Sequence, residues 1–204
     1  MTASSETQRP ALYFYGHGVA NPYGFLSQFW TVEFDAPSKT EEGAILQFWC
    51  AEQYMMYRKA ILFEDYDIAK QIMAKLPKDK PTSVKALGRR VKGWDDEVWA
   101  KHRESIVEDG NWYKFTNSTK GGLKAKLLAT GEQELVEVWS SVIRIGLSYI
   151  LTVESQAAPR DAIWGIGFGA SSAESNRTRW GLNLLGKALM RVRTRIREEQ
   201  KAED

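Results

Sequence analysis

From residue 46 to 63 apolar and aromatic side chains recur too often for simple alternation, and Phe48, Glu52, Met55, Met56 and Lys59 fall on one stripe at helical spacing. The pattern predicts a helix with Glu52 on a mostly apolar face. A second amphipathic helix is predicted over 67–76, stopped by Pro77, and a third over 81–93, carrying Val84, Leu87 and Val91. Asp95 and Asp96 then make an acidic first turn that suits the helix dipole, and Val98, Trp99, His102, Ile106 and Val107 continue one face of a fourth helix. A short helix over 123–129 ends before Gly131. In the last helix, over 181–197, Leu182, Leu185, Leu189, Val192 and Ile196 share a face and basic residues take the other.

The rest reads as extended chain and loop. Residues 13–34 are aromatic and glycine-bearing, with turns at Gly16, Gly18 and Asn21-Pro22, and a hairpin or small sheet is expected to start there. Residues 35–43 read as a polar loop and 135–139 as a strand, while 145–153 fits a strand or part of a buried helix. The sum is an α+β fold: a single, compact, mainly helical domain over 11–197 with a small β-sheet, flanked by flexible ends at 1–10 and 198–204. A chain of 204 residues can bury one sizeable core, so no second domain is expected.

Composition narrows the setting. With 43% hydrophobic and 26% charged residues the chain is ordinary for a soluble protein, and no apolar run approaches the roughly 20 residues that cross a bilayer. The first ten residues lack the apolar stretch of a signal peptide, and Cys50 is the only cysteine. A reducing compartment follows: a cytoplasmic protein, with a nuclear location left open and no membrane partner. A net charge of +2 makes no general case for nucleic-acid binding. Two basic groups stand out, Arg191, Arg193, Arg195 and Arg197 on the last helix and Lys85, Arg89, Arg90 and Lys92 on the third. Each is a solvated helix face or a track for phosphate.

Two carboxyl groups are candidates for acid–base chemistry. Glu52 among Phe48, Met55 and Met56 would be poorly hydrated, which raises its pKa toward neutrality; the alternative is a helix glutamate paired with Arg58 or Lys59. Asp161 opens the segment DAIWGIGFG and either joins Glu52 or caps a turn after Pro159-Arg160. Trp94 and Trp164 each adjoin a glycine in a loop, where an indole can stack on a base or sugar, whereas Trp99 and Trp139 read as core. Arg89 and Lys114 could hold phosphate, as could backbone amides from Gly165 through Gly167 to Gly169 together with the helix start near Asn183, because glycine lets an anion approach the backbone. His17, His102 and Cys50 are too scattered for a zinc set, and neither a dinucleotide fingerprint nor a GxxxxGK[ST] loop is complete.

The ordered segments FLSQF, AEQYMMYRK, KALGRRVKGW, KFTN, LLATGEQELVE, RDAIWGIG and NLLGKALMRVR resemble the NADAR family, which includes the YbiA-like N-glycosidases, over almost the whole chain. The resemblance implies a mainly helical α+β domain that hydrolyses C–N glycosidic bonds of ribose derivatives without metal or redox cofactor. It places the family's glutamate on Glu52, its functional tryptophan on Trp94 and its aspartate on Asp161. Two substrate classes compete: phosphoribosylamino-pyrimidines of the early riboflavin pathway, and ADP-ribosyl adducts, including ADP-ribosylated nucleic acid. The chain departs from the family pattern at Gln28, where many members have asparagine, in an enlarged loop at 35–43, and in an insertion at 141–159.

The expected mechanism passes through an oxocarbenium-like ribosyl transition state, with Glu52 beside C1′ and Asp161 holding ribose hydroxyls or water. Trp94 and Trp164 would wall the base, Arg89, Lys114 and the amides around Gly165 and Gly167 would meet phosphate, and Asn183 would position the loop. The alternative is a non-catalytic module that binds ADP-ribose or a nucleic-acid end with the same aromatic walls.

Overall fold

The structure is a computed structural model that describes residues 11–19, 21–118, 120–139 and 161–203, so the segment 145–153 and the whole insertion at 141–159 lie outside the described residues. Its first strand, Leu12–Phe14 (β1), pairs not with a neighbour in a hairpin but in parallel with the distant Leu135–Glu137 (β4), Phe14 opposite Glu137. The expected polar loop is itself part of a hairpin. Phe34–Pro37 (β2) pairs antiparallel with Ile45–Phe48 (β3), Phe34 facing Phe48 with stacked rings 5.8 Å apart. Phe48 thus ends a strand, and the first helix starts only at Ala51.

That helix, Ala51–Leu62 (α1), is buried on every side from Ala51 to Tyr57, as a helix at the centre of a core must be. It packs against Tyr66–Met73 (α2), Lys80–Gly88 (α3) and Asp96–Thr116 (α4). Two glycines permit these approaches. A Cβ at Gly88 would lie 1.9 Å from Met56 Sδ, and one at Gly110 would lie 2.6 Å from the Tyr54 ring.

Carboxylates start the helices as their sequence positions suggest. Asp95 Oδ1 accepts from Val98 N (2.8 Å) at the head of α4, and Asp65 accepts from Ile68 N (3.1 Å) and from Lys92 N (2.9 Å), tying the head of α2 to the chain after α3.

Leu123–Ala129 (α5) follows as expected; after β4 come the short Ala170–Ala173 (α6) and the long Leu184–Glu203 (α7). α7 packs on α4 and β4 through Leu185, Leu189, Val192 and Ile196. It runs past the expected end at 197, and Leu182 stands before it, exposed. Its basic residues are engaged by protein. Arg191 pairs with Glu104 and Glu108, Arg197 with Glu132, and Arg195 with Glu199, while buried Arg193 donates to Thr130 Oγ1 (2.7 Å) and Gln133 O (2.9 Å). The fold is α+β and mainly helical, with two small two-stranded sheets among the described residues.

Candidate active site

A cavity of about 200 Å³ lies where the start of α1, the end of α3, the end of β4 and the segment from Asp161 to Trp164 meet. It brings together four of the expected residues, Glu52, Asp161, Trp164 and Arg89, and adds Glu137, Lys59, Lys85 and Trp99. A turn at Gly24–Leu26 and the residues after it, Ser27, Gln28 and Phe29, supply the facing wall.

Glu52 stands in the first turn of α1, only 2% exposed. Its N–H donates to Gln28 O (2.9 Å), while its Oε1 is buried without a hydrogen-bond partner among the described residues. A buried carboxylate oxygen left unmatched carries a desolvation cost that protein interiors rarely leave standing, so a ligand group is the natural match. Burial drives the carboxyl pKa up to about 7; Lys85 and Arg89 oppose the shift, Asp161 adds to it, and Lys59 opposes it.

Glu137 was not singled out as a site residue in the sequence. It ends β4 on the same face as Leu135, which lies in the main core, so the strand's period of two turns a glutamate inward. It is half-buried at the cavity, and its pKa is pushed up to about 8 by burial and by Asp161, against Lys85, with a further push from Glu52.

Asp161 plays both roles that its sequence position allows. Its Oδ1 accepts from Ile163 N and Trp164 N, both at 2.9 Å, closing the turn that presents Trp164, and the residue also lines the cavity. The cations are held as firmly. Lys59 Nζ donates to Gly88 O (2.8 Å) and sits 3.8 Å from the centre of the Trp94 ring; burial lowers its pKa and Glu52 counteracts this.

Other expectations need correction. Trp94 is 40% exposed and does not line the cavity; it rests against Phe63 and Trp99, donates Nε1–H to Asp96 Oδ1 (3.0 Å) and carries Lys59 on its ring. Trp99 lies in the core as expected and also reaches the cavity. Lys114 is fully buried and outside the cavity lining: its Nζ donates to Ser27 O (2.8 Å), so it braces the facing wall, and burial lowers its pKa to about 7.

The glycine run packs rather than cradles. Ile166 N donates to Glu137 O and Trp139 N to Phe168 O, extending β4, and a Cβ at Gly165 would lie 2.7 Å from Glu137 O. Gly167 faces a separate cleft with Trp139 and Arg179. Nor is the start of α7 open to an anion, because the N–H groups of Leu182, Asn183, Leu184 and Leu185 donate to the carbonyls of Ala162, Gly165, Ile163 and Trp164. Asn183, left-handed at φ 49°, accepts from Glu137 N (3.1 Å) and donates to Leu135 O (2.9 Å). It positions β4, and so Glu137, as well as the loop.

Among the described residues no group of three or more His, Cys, Asp and Glu is arranged to hold a metal ion, and no helix is long and apolar enough to cross a membrane. The chain is 37% identical over 186 residues to N-glycosidase R617 of Acanthamoeba polyphaga mimivirus, spanning 89% of this chain and 94% of that protein. It is 30% identical over 179 residues to Protein irg-1 of Caenorhabditis elegans, spanning 86% and 72%. The fold resembles the NMR structure of the E. coli protein YbiA with a TM-score of 0.62 at 22% identity, over 95% of this chain and 88% of that one. The NADAR domain model matches residues 13–141 and 152–197, passing over 142–151 inside the segment read as an insertion, and the chain belongs to the NADAR domain family.

Proposed function

We propose that the protein is an N-glycosidase that hydrolyses the C–N bond between ribose and a nitrogenous base in a ribose phosphate or ADP-ribose derivative. The hydrolase class rests on family membership and on a relative, 37% identical along nearly its whole length, that is an N-glycosidase. The observation that carries the residue assignment is Glu52 Oε1, buried and unmatched at a cavity shared with Asp161 and Glu137.

In this reading an ionised Glu52 stands beside C1′ and stabilises the positive charge that develops on the ribosyl group as the bond to the base lengthens. Asp161 holds ribose hydroxyls or the attacking water. Trp164 and Trp99 flank the base, and Arg89 with Lys85 takes the phosphate role first looked for in Lys114 and the glycine amides. Trp94 acts at one remove, by fixing Lys59.

The test is incubation with phosphoribosylamino-pyrimidines, NAD, ADP-ribose and ADP-ribosylated guanine, followed by mass spectrometry. Release of free base with ribose phosphate or ADP-ribose is the expected result, and the panel identifies which class is taken. Saturable binding with no released base would instead establish a module that only binds.

A further inference from the structure

Breaking the glycosidic bond leaves an electron pair on the base nitrogen, and departure of the base is slow unless a proton meets it. We infer that Glu137 is the catalytic acid, its protonated carboxyl donating to the base nitrogen as the C1′–N bond breaks. This assignment rests on the N-glycosidase reading above.

Geometry supports it first. The Glu137 backbone is pinned on both sides, its N–H donated to Asn183 Oδ1 (3.1 Å) and its carbonyl accepting from Ile166 N (3.0 Å), so the side chain enters the cavity from a fixed base. It comes from β4, whereas Glu52 comes from α1, and the two therefore approach a bound ribosyl group from different elements.

The charges around the two carboxyls then assign the proton. Glu52 is faced by Lys85 and Arg89 from α3 and its vicinity and by Lys59 from its own helix, with Asp161 the opposing charge. Among the described residues, the charges that act most on Glu137 are one cation, Lys85, and the carboxyls of Asp161 and Glu52. Three cations favour the ionised form of Glu52, while one cation against two acids favours the neutral form of Glu137. The pKa values, about 7 and about 8, fall in that order.

The step balances without a further reactant. Glu137 gives its proton to the base nitrogen, which keeps the electron pair of the broken bond. Water supplies oxygen to C1′ and loses a proton to Asp161. That proton returns through solvent to Glu137, so the net change is one water consumed, one base and one ribosyl product released.

The experiment compares Glu137→Gln with the parent enzyme on a substrate from the panel and on 4-nitrophenyl riboside 5-phosphate, whose nitrophenolate leaves unprotonated. The variant should lose about 100-fold or more in kcat/KM on the N-riboside, and at least about tenfold less on the aryl riboside. In the parent, kcat/KM should fall as pH rises above about 8, and this alkaline limb should vanish in the variant. Equal losses on both substrates, or a folded variant with a normal rate on the N-riboside, would overturn the assignment. A substrate-free measurement keeps the question open to test on its own: with 13C-labelled glutamate, NMR should find a carboxyl that titrates near pH 8 and disappears in Glu137→Gln. Titration of Glu137 in the ordinary carboxylate range would also overturn it. Failure of the underlying reading looks different, because then the parent enzyme releases no base from any substrate.

Discussion

The cavity and the outer face of α7 both crowd charged residues, yet their charges are matched in opposite ways. On α7 Arg191, Arg195 and Arg197 each meet a carboxylate, from α4, from Glu199 and from Glu132 respectively. In the cavity, Glu52 keeps an oxygen with no hydrogen-bond partner among the described residues, and on Glu137 the push of Asp161 outweighs the pull of Lys85. Charge that the protein has already neutralised is structural, whereas buried charge left unmatched is held ready for something else. In a bare sequence the two basic groups look alike; what separates them is whether a carboxylate from another element arrives to pair them.

The hardest test of this contrast is Glu52→Gln. Turnover should fall at least about 100-fold, while the fold survives because size and shape hardly change. Stability should respond in the opposite sense. The folded carboxyl binds its proton more tightly than the unfolded one, so its favourable contribution is complete below the ordinary carboxylate range and is lost as pH rises through about 7. The Tm of the parent should therefore decline from pH 5 to pH 8 relative to Glu52→Gln, and thermal melts across that range check it. A parallel pair of curves would show that Glu52 is not a buried, reluctant acid.

The next effect is mechanical. Gly88→Ala pushes a methyl group into Met56, which also lines the cavity, and should cost about 1–3 kcal/mol in chemical denaturation with a rise in KM. Trp94→Ala should do less to the fold, moving Tm by a few degrees, but it removes the ring under Lys59, an interaction worth about 0.5–1 kcal/mol at an exposed site. A few-fold loss in kcat/KM with an altered salt dependence is expected. Unchanged kinetics would leave Trp94 as a surface prop.

Arg195→Ala sets the lower bound. Its pair with Glu199 is exposed and its guanidinium lies 3.7 Å from the centre of the Trp112 ring, so a stability change of about 1 kcal/mol or less and no kinetic change are expected. A marked loss of activity on a nucleic-acid substrate alone would restore the phosphate track that the ion pairs argue against.

Much of this was legible in the sequence, and the gaps have physical causes. Helix starts were readable because caps are local: Asp95 announces α4 by its position alone. Glu52 and Asp161 were found because an acid in an apolar stripe and an acid opening a glycine-rich turn are both unusual. The β2–β3 hairpin was hidden because its strands are short and its turn is long and polar, leaving Phe48 to fall in phase with the helix that follows. Glu137 was missed although the strand over 135–139 is predicted, because apolar residues bury both of its faces, Leu135 on one and Val136 and Val138 on the other, and the pattern does not say which face meets a cavity. Lys114 misled because its partner is a carbonyl of Ser27, and no helical periodicity records a contact made by a distant loop.

The Asn183 clamp has a further consequence for the history of the chain. Its bonds to Leu135 and Glu137, with those joining Ile166 to Glu137 and Trp139 to Phe168, fasten the chain that ends at Trp139 directly to the chain that follows Asp161. Since the entropic cost of closing a loop grows only slowly with its length, a change in chain length between these two fastened ends should leave their register unchanged. A graft of a foreign recognition loop, or a shortened link, belongs there.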